Sequence, residues 1–211
     1  MKIFDVTVPI TNSMPVWPGD PRVNNQLVAS LTNGNEANVT GMNMSAHTGT
    51  HIDAPRHFIE KGAAIEKLDL NTLLGEVEVI EIDSNLTQIR ETDLKTLRPN
   101  GWKPRILFKT RNSSLRLFEK ESFFNNFTAL TADAAEYLVN QGVKLVGIDY
   151  LSIAPFDKGV DTHIVLLRNN VIVIEGLNLS DIPAGIYDLV ALPILLENAD
   201  GAPARVLLIQ K

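Results

Sequence analysis

A chain of 211 residues, 45% hydrophobic and 21% charged, is long enough to bury one large core and too apolar for wholesale disorder. A net charge of −6 with no clustered Lys/Arg stripe argues against a nucleic-acid partner. The absence of cysteine excludes disulfides and leaves only nitrogen and oxygen donors for a metal. No run approaches the ~20 apolar residues of a membrane span, and Asp5 arrives before a signal-peptide core could form. With no repeat or linker in view, the expectation is one cytoplasmic domain over residues 1–211 that does not engage membranes.

In chain order, residues 3–10 alternate and are rich in β-branched side chains, which predicts a strand. Residues 12–22 contain Pro15, Pro18, Gly19 and Pro21 and are expected to form an ordered loop. The alternation of Val39, Gly41 and Asn43 against Met42 and Met44 predicts a strand leading toward residue 47. Further strands are predicted at 77–82, 106–110, 145–149, 171–175, 187–192 and 205–209. Lys103, Arg105, Lys109 and Arg111 alternate as the solvent side of a strand would. One short helix is expected over 92–97, ended by Pro99. A longer one covers 132–141, with Thr131 as N-cap and Gly142 closing its end. Strands outnumber helices, so the fold class is α/β: a single mixed-sheet domain with helices packed on it.

Three of the four histidines fall within eleven residues, His47-Thr-Gly-Thr-His51-Ile-Asp53-Ala-Pro-Arg-His57. On a helix Asp53 would lie about 240° round from His47. On an extended chain, positions 47, 51, 53 and 57 project to one side, with Pro55 bending the backbone before His57. Imidazole and carboxylate donors suit zinc, manganese or iron, and three protein ligands leave a position open, as catalytic sites do. A zinc-like ion lowers the pKa of bound water toward ~7, and a histidine outside the ligand set can then move protons. Four ionisable groups on one face are costly to bury unless they are paired or metal-bound.

These residues resemble the H-x-G-T-H-x-D-x-P-x-H signature of the cyclase-like metal hydrolases, a superfamily that includes bacterial kynurenine formamidase and isatin hydrolase. The resemblance continues through Asp5-Val-Thr-Val-Pro-Ile, Met14-Pro-Val-Trp17-Pro-Gly-Asp20, Gly147-Ile-Asp149, Glu175-Gly-Leu and Ile182-Pro-Ala-Gly-x-Tyr-x-Leu. It implies a swivelling β/β/α architecture and a first metal held by His47, His51 and Asp53. Asp53 would bridge to a second ion completed by His163 and Glu175. His57 would be the general acid/base, and Trp17 would line the substrate pocket. It further implies one or two Zn2+ ions per chain, with Mn2+ as the other candidate, and a homodimer or homotetramer acting on a small molecule. The implied reaction is hydrolysis of an amide C–N bond, as in arylformamidases.

Two departures bear on the substrate. Thr50 stands where kynurenine formamidases commonly carry Ala, and Tyr150-Leu151 where they carry Thr-Pro, so N-formylkynurenine is not singled out. A cyclic amide, imide or lactone, as in isatin hydrolase, is the alternative within the class. From other classes, His51, Asp53 and His163 imitate the triad of a non-haem iron oxygenase, and a non-catalytic metal-binding protein would keep the same ligands. Trp17, Trp102, Phe108 and Tyr150 hint at an aromatic substrate, although each could equally be core. Asp149 ends a strand where α/β sites gather, but it could equally cap the following turn and stays outside the expected site.

Overall fold

Runs that are apolar on both faces belong at the centre of a parallel sheet covered on both sides. Three such runs, Ile-Leu-Phe at 106–108, Leu-Val-Gly-Ile at 145–148 and Ile-Val-Ile at 172–174, are buried throughout. The computed structural model describes residues 1–98 and 100–210. Its strands are β1 Lys2–Asp5, β2 Asn24–Ala29, β3 Val39–Asn43, β4 His51–Asp53, β5 Leu74–Glu81, β6 Gln88–Ile89, β7 Arg105–Lys109, β8 Ala129–Leu130, β9 Leu145–Ile148, β10 Ile172–Glu175, β11 Gly185–Pro193 and β12 Gly201–Gln210. The helices are α1 Leu70–Leu73, α2 Glu91–Leu97, α3 Arg111–Ser114, α4 Ala132–Asn140 and α5 Gly159–Arg168.

The main sheet runs β1-β12-β11-β5-β7-β9-β10-β4, and β4 also pairs with β12, so seven strands close into a barrel. The pairings from β5 through β7 and β9 to β10 are parallel, and the others are antiparallel. The period of two then sorts the side chains. Val77, Val79, Leu107, Leu145, Ile174, Leu189, Ala202 and Val206 belong to one core, inside the barrel. Ile106, Phe108, Val146, Ile148 and Val173 point outward into a second core beneath Leu94, Ala134, Leu138, Leu166 and Leu167 of the covering helices. At roughly 25 cal/mol per Å2 of apolar area removed from water, these two cores are the main source of stability. Among the described residues no helix is long and apolar enough to cross a membrane.

The mixed α/β class and the strand-rich pattern hold, with several corrections. β1 ends at Asp5, because beyond it only an isolated bridge from Thr7 to Leu177 continues the pairing. The strand expected to lead into the histidine cluster exists as β3, but it pairs with β2 in a separate hairpin, and turns separate it from His47. The backbone from 47 to 57 is not continuously extended. His47 lies in a turn closed by Gly49 at φ +65°, only 51–53 form a strand, and 55–57 coil into a 3-10 turn that begins at Pro55. Lys103, Arg105, Lys109 and Arg111 are not a solvent face. Arg105 and Lys109 are the half-buried ends of a central strand, and the Arg105 guanidinium donates to the carbonyl oxygens of Thr72 and Asn71. Both predicted helices form, and the expected stop at Pro99 lies outside the described residues. Thr131 occupies the N-cap of α4, but its hydroxyl donates to the Ile89 carbonyl instead of capping the helix. α5 appears where no element was predicted.

Candidate metal centre

Strand pairing builds the floor of the site. β4 lies between β10 and β12, with His51 opposite Glu175, Val173 opposite Asp53 and Gly201 opposite Asp53. Ile52 faces the barrel interior, so His51 and Asp53 project to the outer face, where Glu175 also lies. α5 covers that face. Its buried positions Thr162, His163, Leu166 and Leu167 form one helical stripe, which brings His163 over the carboxylates. His47 and His57 enter from the turns before and after β4. All four histidines of the chain thus converge with Asp53 and Glu175.

Two close approaches require glycine. Gly176 has φ +70°, and a Cβ there would lie 2.1 Å from the Gly49 carbonyl oxygen, so the turn carrying His47 can seat against the end of β10. At Gly201 a Cβ would lie 2.6 Å from His47 Cε1, so the His47 ring rests on bare backbone. Thr50 stitches the same region together. Its hydroxyl donates to the Gly176 carbonyl at 2.6 Å and accepts the Val8 N–H at 2.8 Å. This departure from the formamidase pattern therefore sits in loop packing, away from the cavity.

The ring nitrogens are sorted by their backbone partners. His51 Nδ1 lies 2.9 Å from the Gly49 carbonyl and donates to it, and His163 Nδ1 donates to the Gly159 carbonyl at 2.7 Å. Each leaves Nε2 as the nitrogen facing the carboxylates, free to take a proton or an ion. Asp53 Oδ1 lies 2.9 Å from His47 Nδ1 and 3.5 Å from His51 Nε2, while Oδ2 lies 3.7 Å from His163 Nε2. Glu175 Oε1 is 3.1 Å from His163 Nε2 and accepts the Ile153 N–H, and Oε2 is 3.3 Å from His51 Nε2. Asp53 thus turns one oxygen toward His47 and His51 and the other toward His163. His51 Nε2 and Asp53 Oδ2 are buried without a hydrogen-bond partner. Orphaned polar atoms of this kind are costly unless something binds them. An imidazole nitrogen and a carboxylate oxygen that converge without a hydrogen bond fit a cation, which would displace any proton on Nε2.

With no ion between them, the carboxylates draw protons onto the rings. Burial disfavours the charged form of His51, but Asp53 and Glu175 outweigh it and push the imidazole up to about 10. His163 and His47 are raised in the same way, against burial, by Glu175 and by Asp53 respectively. Burial would raise the Asp53 carboxyl, yet His47 and His51 hold it well below the usual carboxylate range. His57 moves the other way. Burial lowers it and the neighbouring His47 and His163 add to the effect, so it is the histidine kept neutral.

The cluster forms the base of a cavity of about 530 Å3 lined by Trp17, Phe58, Leu151, Phe156 and the site histidines. Trp17 packs edge-on to Phe123 at 5.1 Å and against Phe156 at 5.4 Å, so one wall is aromatic. Phe58 stacks on His163 at 4.4 Å. Trp102 packs instead against Phe108 and Tyr137 under α4, and Tyr150 is buried beneath Trp17. Asp149 is held by Thr110, Asn112 and Ser113 and fastens the start of α3, which keeps it out of the site. Sequence reasoning missed Asp200, whose Oδ2 lies 3.0 Å from His47 Nε2 and 3.4 Å from His57 Nδ1. No local pattern marks it, because His47 is 153 positions away in the chain.

Similar proteins match over nearly the whole chain. The Cyclase-like protein 3 of Arabidopsis thaliana is 39% identical over 99% of this chain and 80% of its own length. The kynurenine formamidase of Bacillus anthracis is 33% identical over 98% of this chain and 97% of its own. A solved structure described as a potential metal-dependent hydrolase with cyclase activity is 38% identical and covers 98% of this chain and 96% of its own, with a TM-score of 0.83. An isatin hydrolase bound to the product analogue thioisatinate has the same fold, with a TM-score of 0.86 at 21% identity over 100% of this chain and 93% of its own. The family model described as putative cyclase matches residues 4–155, and the chain belongs to that family.

Proposed function

We propose that this protein is a metal-dependent hydrolase of amide C–N bonds in small, flat acyl compounds. The observation that carries the reading is the convergence of three imidazoles and two buried carboxylates around the unpartnered His51 Nε2 and Asp53 Oδ2, at the base of an open cavity. His47 Nδ1, His51 Nε2 and Asp53 Oδ1 would hold one ion; Asp53 Oδ2, His163 Nε2 and Glu175 Oε1 would hold a second. With no thiolate in the chain, zinc or manganese suits these donors. An ion bound there supplies Lewis acidity and acidifies its water toward a pKa of ~7.

The chain's own groups do the rest. Neutral His57, at the cavity edge, takes a proton from the attacking water and returns it to the departing amine. Trp17, Phe58 and Phe156 exclude water and orient a flat substrate. The iron-oxygenase alternative leaves His47 and His57 without a role, although both stand inside the same cluster. The formamidase and isatin hydrolase relatives support the amide class. Exposed Leu27, Val28, Val39 and Met42 on the β2–β3 hairpin support the expected homo-oligomer.

The test is metal content by elemental mass spectrometry on chelator-free protein, followed by hydrolysis assays with N-formylkynurenine and isatin. One or two zinc or manganese ions per chain together with turnover of either compound is the expected result. Protein that takes up neither metal, or that holds metal and cleaves no amide, overturns the proposal.

A further inference from the structure

Asp200 stands immediately before β12, and its side chain is half exposed. One carboxylate oxygen, Oδ2, reaches both His47 Nε2 and His57 Nδ1. Those two rings are stacked, with centroids 3.9 Å apart and planes at 25°. The backbone around the residue is tied to the same site. The Asp200 carbonyl accepts the Ala54 N–H at 2.9 Å, and the next residue, Gly201, lies opposite Asp53 and supports the His47 ring.

A neutral imidazole carries its proton on one nitrogen, and the partner of that nitrogen decides which atom is left with a lone pair. His51 and His163 have backbone carbonyls for this purpose. His47 and His57 have no such carbonyl partner among their described hydrogen bonds; the group that reaches both is Asp200. We propose that Asp200 is a positioning residue that sets the tautomer and ring orientation of both histidines at once. Its oxygen accepts the His47 Nε2–H, which turns His47 Nδ1 toward Asp53 as a ligand atom. The same oxygen lies 3.4 Å from His57 Nδ1 and draws the ring proton to that nitrogen, which leaves His57 Nε2 to take and return a proton. The inference rests on the metal-hydrolase reading and extends it to a residue outside the signature.

Tautomer and affinity separate this role from a structural one. Asp200 is half exposed but His47 is largely buried, so the thermal midpoint is recorded beside the zinc affinity to tell a loss of folding from a loss of ring positioning. Groups behind metal-binding histidines typically matter by 10–100-fold in metal affinity or activity. The experiment compares wild type, Asp200→Ala and Asp200→Asn by zinc competition with a chromogenic chelator and by imidazole 15N NMR of the zinc-loaded proteins. The expected result is an Nε2–H tautomer for His47 and an Nδ1–H tautomer for His57 in wild type. In Asp200→Ala zinc binding should weaken by about 10-fold or more and the His57 tautomers should mix. Asp200→Asn, which keeps an acceptor oxygen, should recover most of the affinity. Wild-type zinc affinity and unchanged tautomers in Asp200→Ala overturn the inference while leaving the hydrolase reading intact. Wild type that binds no zinc overturns both.

Discussion

Replacing Gly201 with alanine tests whether the proposed metal centre depends on one bare stretch of backbone. The added Cβ would meet His47 Cε1 at 2.6 Å and the Ile52 carbonyl oxygen at 2.9 Å. The carbonyl belongs to the central residue of β4 and cannot retreat without opening the strand pairs on either side. The ring must yield instead. To reach ordinary contact at 3.4 Å it has to move by about 0.8 Å. That shift pulls Nδ1 away from Asp53 Oδ1, now 2.9 Å distant, and unstacks the ring from His57. Displacements near 1 Å at a reacting centre cost on the order of 100-fold in rate, and overpacking costs about 1–3 kcal/mol of stability. Gly201→Ala should therefore bind zinc about 10–100-fold more weakly by chelator competition. Its kcat should fall on the order of 100-fold on whichever amide the wild type cleaves. A variant with wild-type zinc affinity and turnover would refute the claim that the His47 ring is seated on this backbone.

Three other outcomes follow from the same geometry. His57→Ala should keep its full metal content and lose roughly 10²–10⁴-fold in kcat, whereas loss of an ion on elemental analysis would move His57 into the ligand set. Because His51 is pushed up to about 10 in the metal-free protein, it carries a proton at pH 7.5 that zinc must displace. Calorimetric titration of zinc in buffers of different ionisation enthalpy should show at least one proton released, with His47 and His163, raised in the same sense, adding to it. Affinity should tighten as pH rises toward 10, and an enthalpy independent of buffer would contradict the raised imidazole. Thr50→Val keeps the shape but leaves the buried Val8 N–H and Gly176 carbonyl without their partner. Its stability in denaturant melts should fall by about 1–3 kcal/mol with zinc affinity retained, and an unchanged midpoint would remove Thr50 as the stitch between the two loops.

Much of this protein can be read along the chain. Central strands reveal themselves by residues that are apolar on both faces, as at 106–108 and 172–174, and α4 by its period between Thr131 and Gly142. The clustered spacing of His47, His51, Asp53 and His57 marks the candidate cation site, because four ionisable groups rarely share so short a segment otherwise. α5 was not legible, since Val160, Ile164 and Val165 are β-branched and only packing against the outer barrel face makes the segment helical. The extended backbone inferred for 47–57 was incorrect for a similar reason. Side-chain parity on one strand can place only His51 and Asp53; the turn at Gly49 and the coil after Pro55 depend on contacts with residues 175–176 and 199–201. Local sequence determined which residues carry metal-type donors and which stretches form strands, because both depend on chemistry and periodicity within a few residues. Barrel closure through β4, the convergence of His163 and Glu175 on Asp53, and the reach of Asp200 to two histidines were decided only by tertiary structure, because each joins positions whose separation in the chain carries no periodic signal.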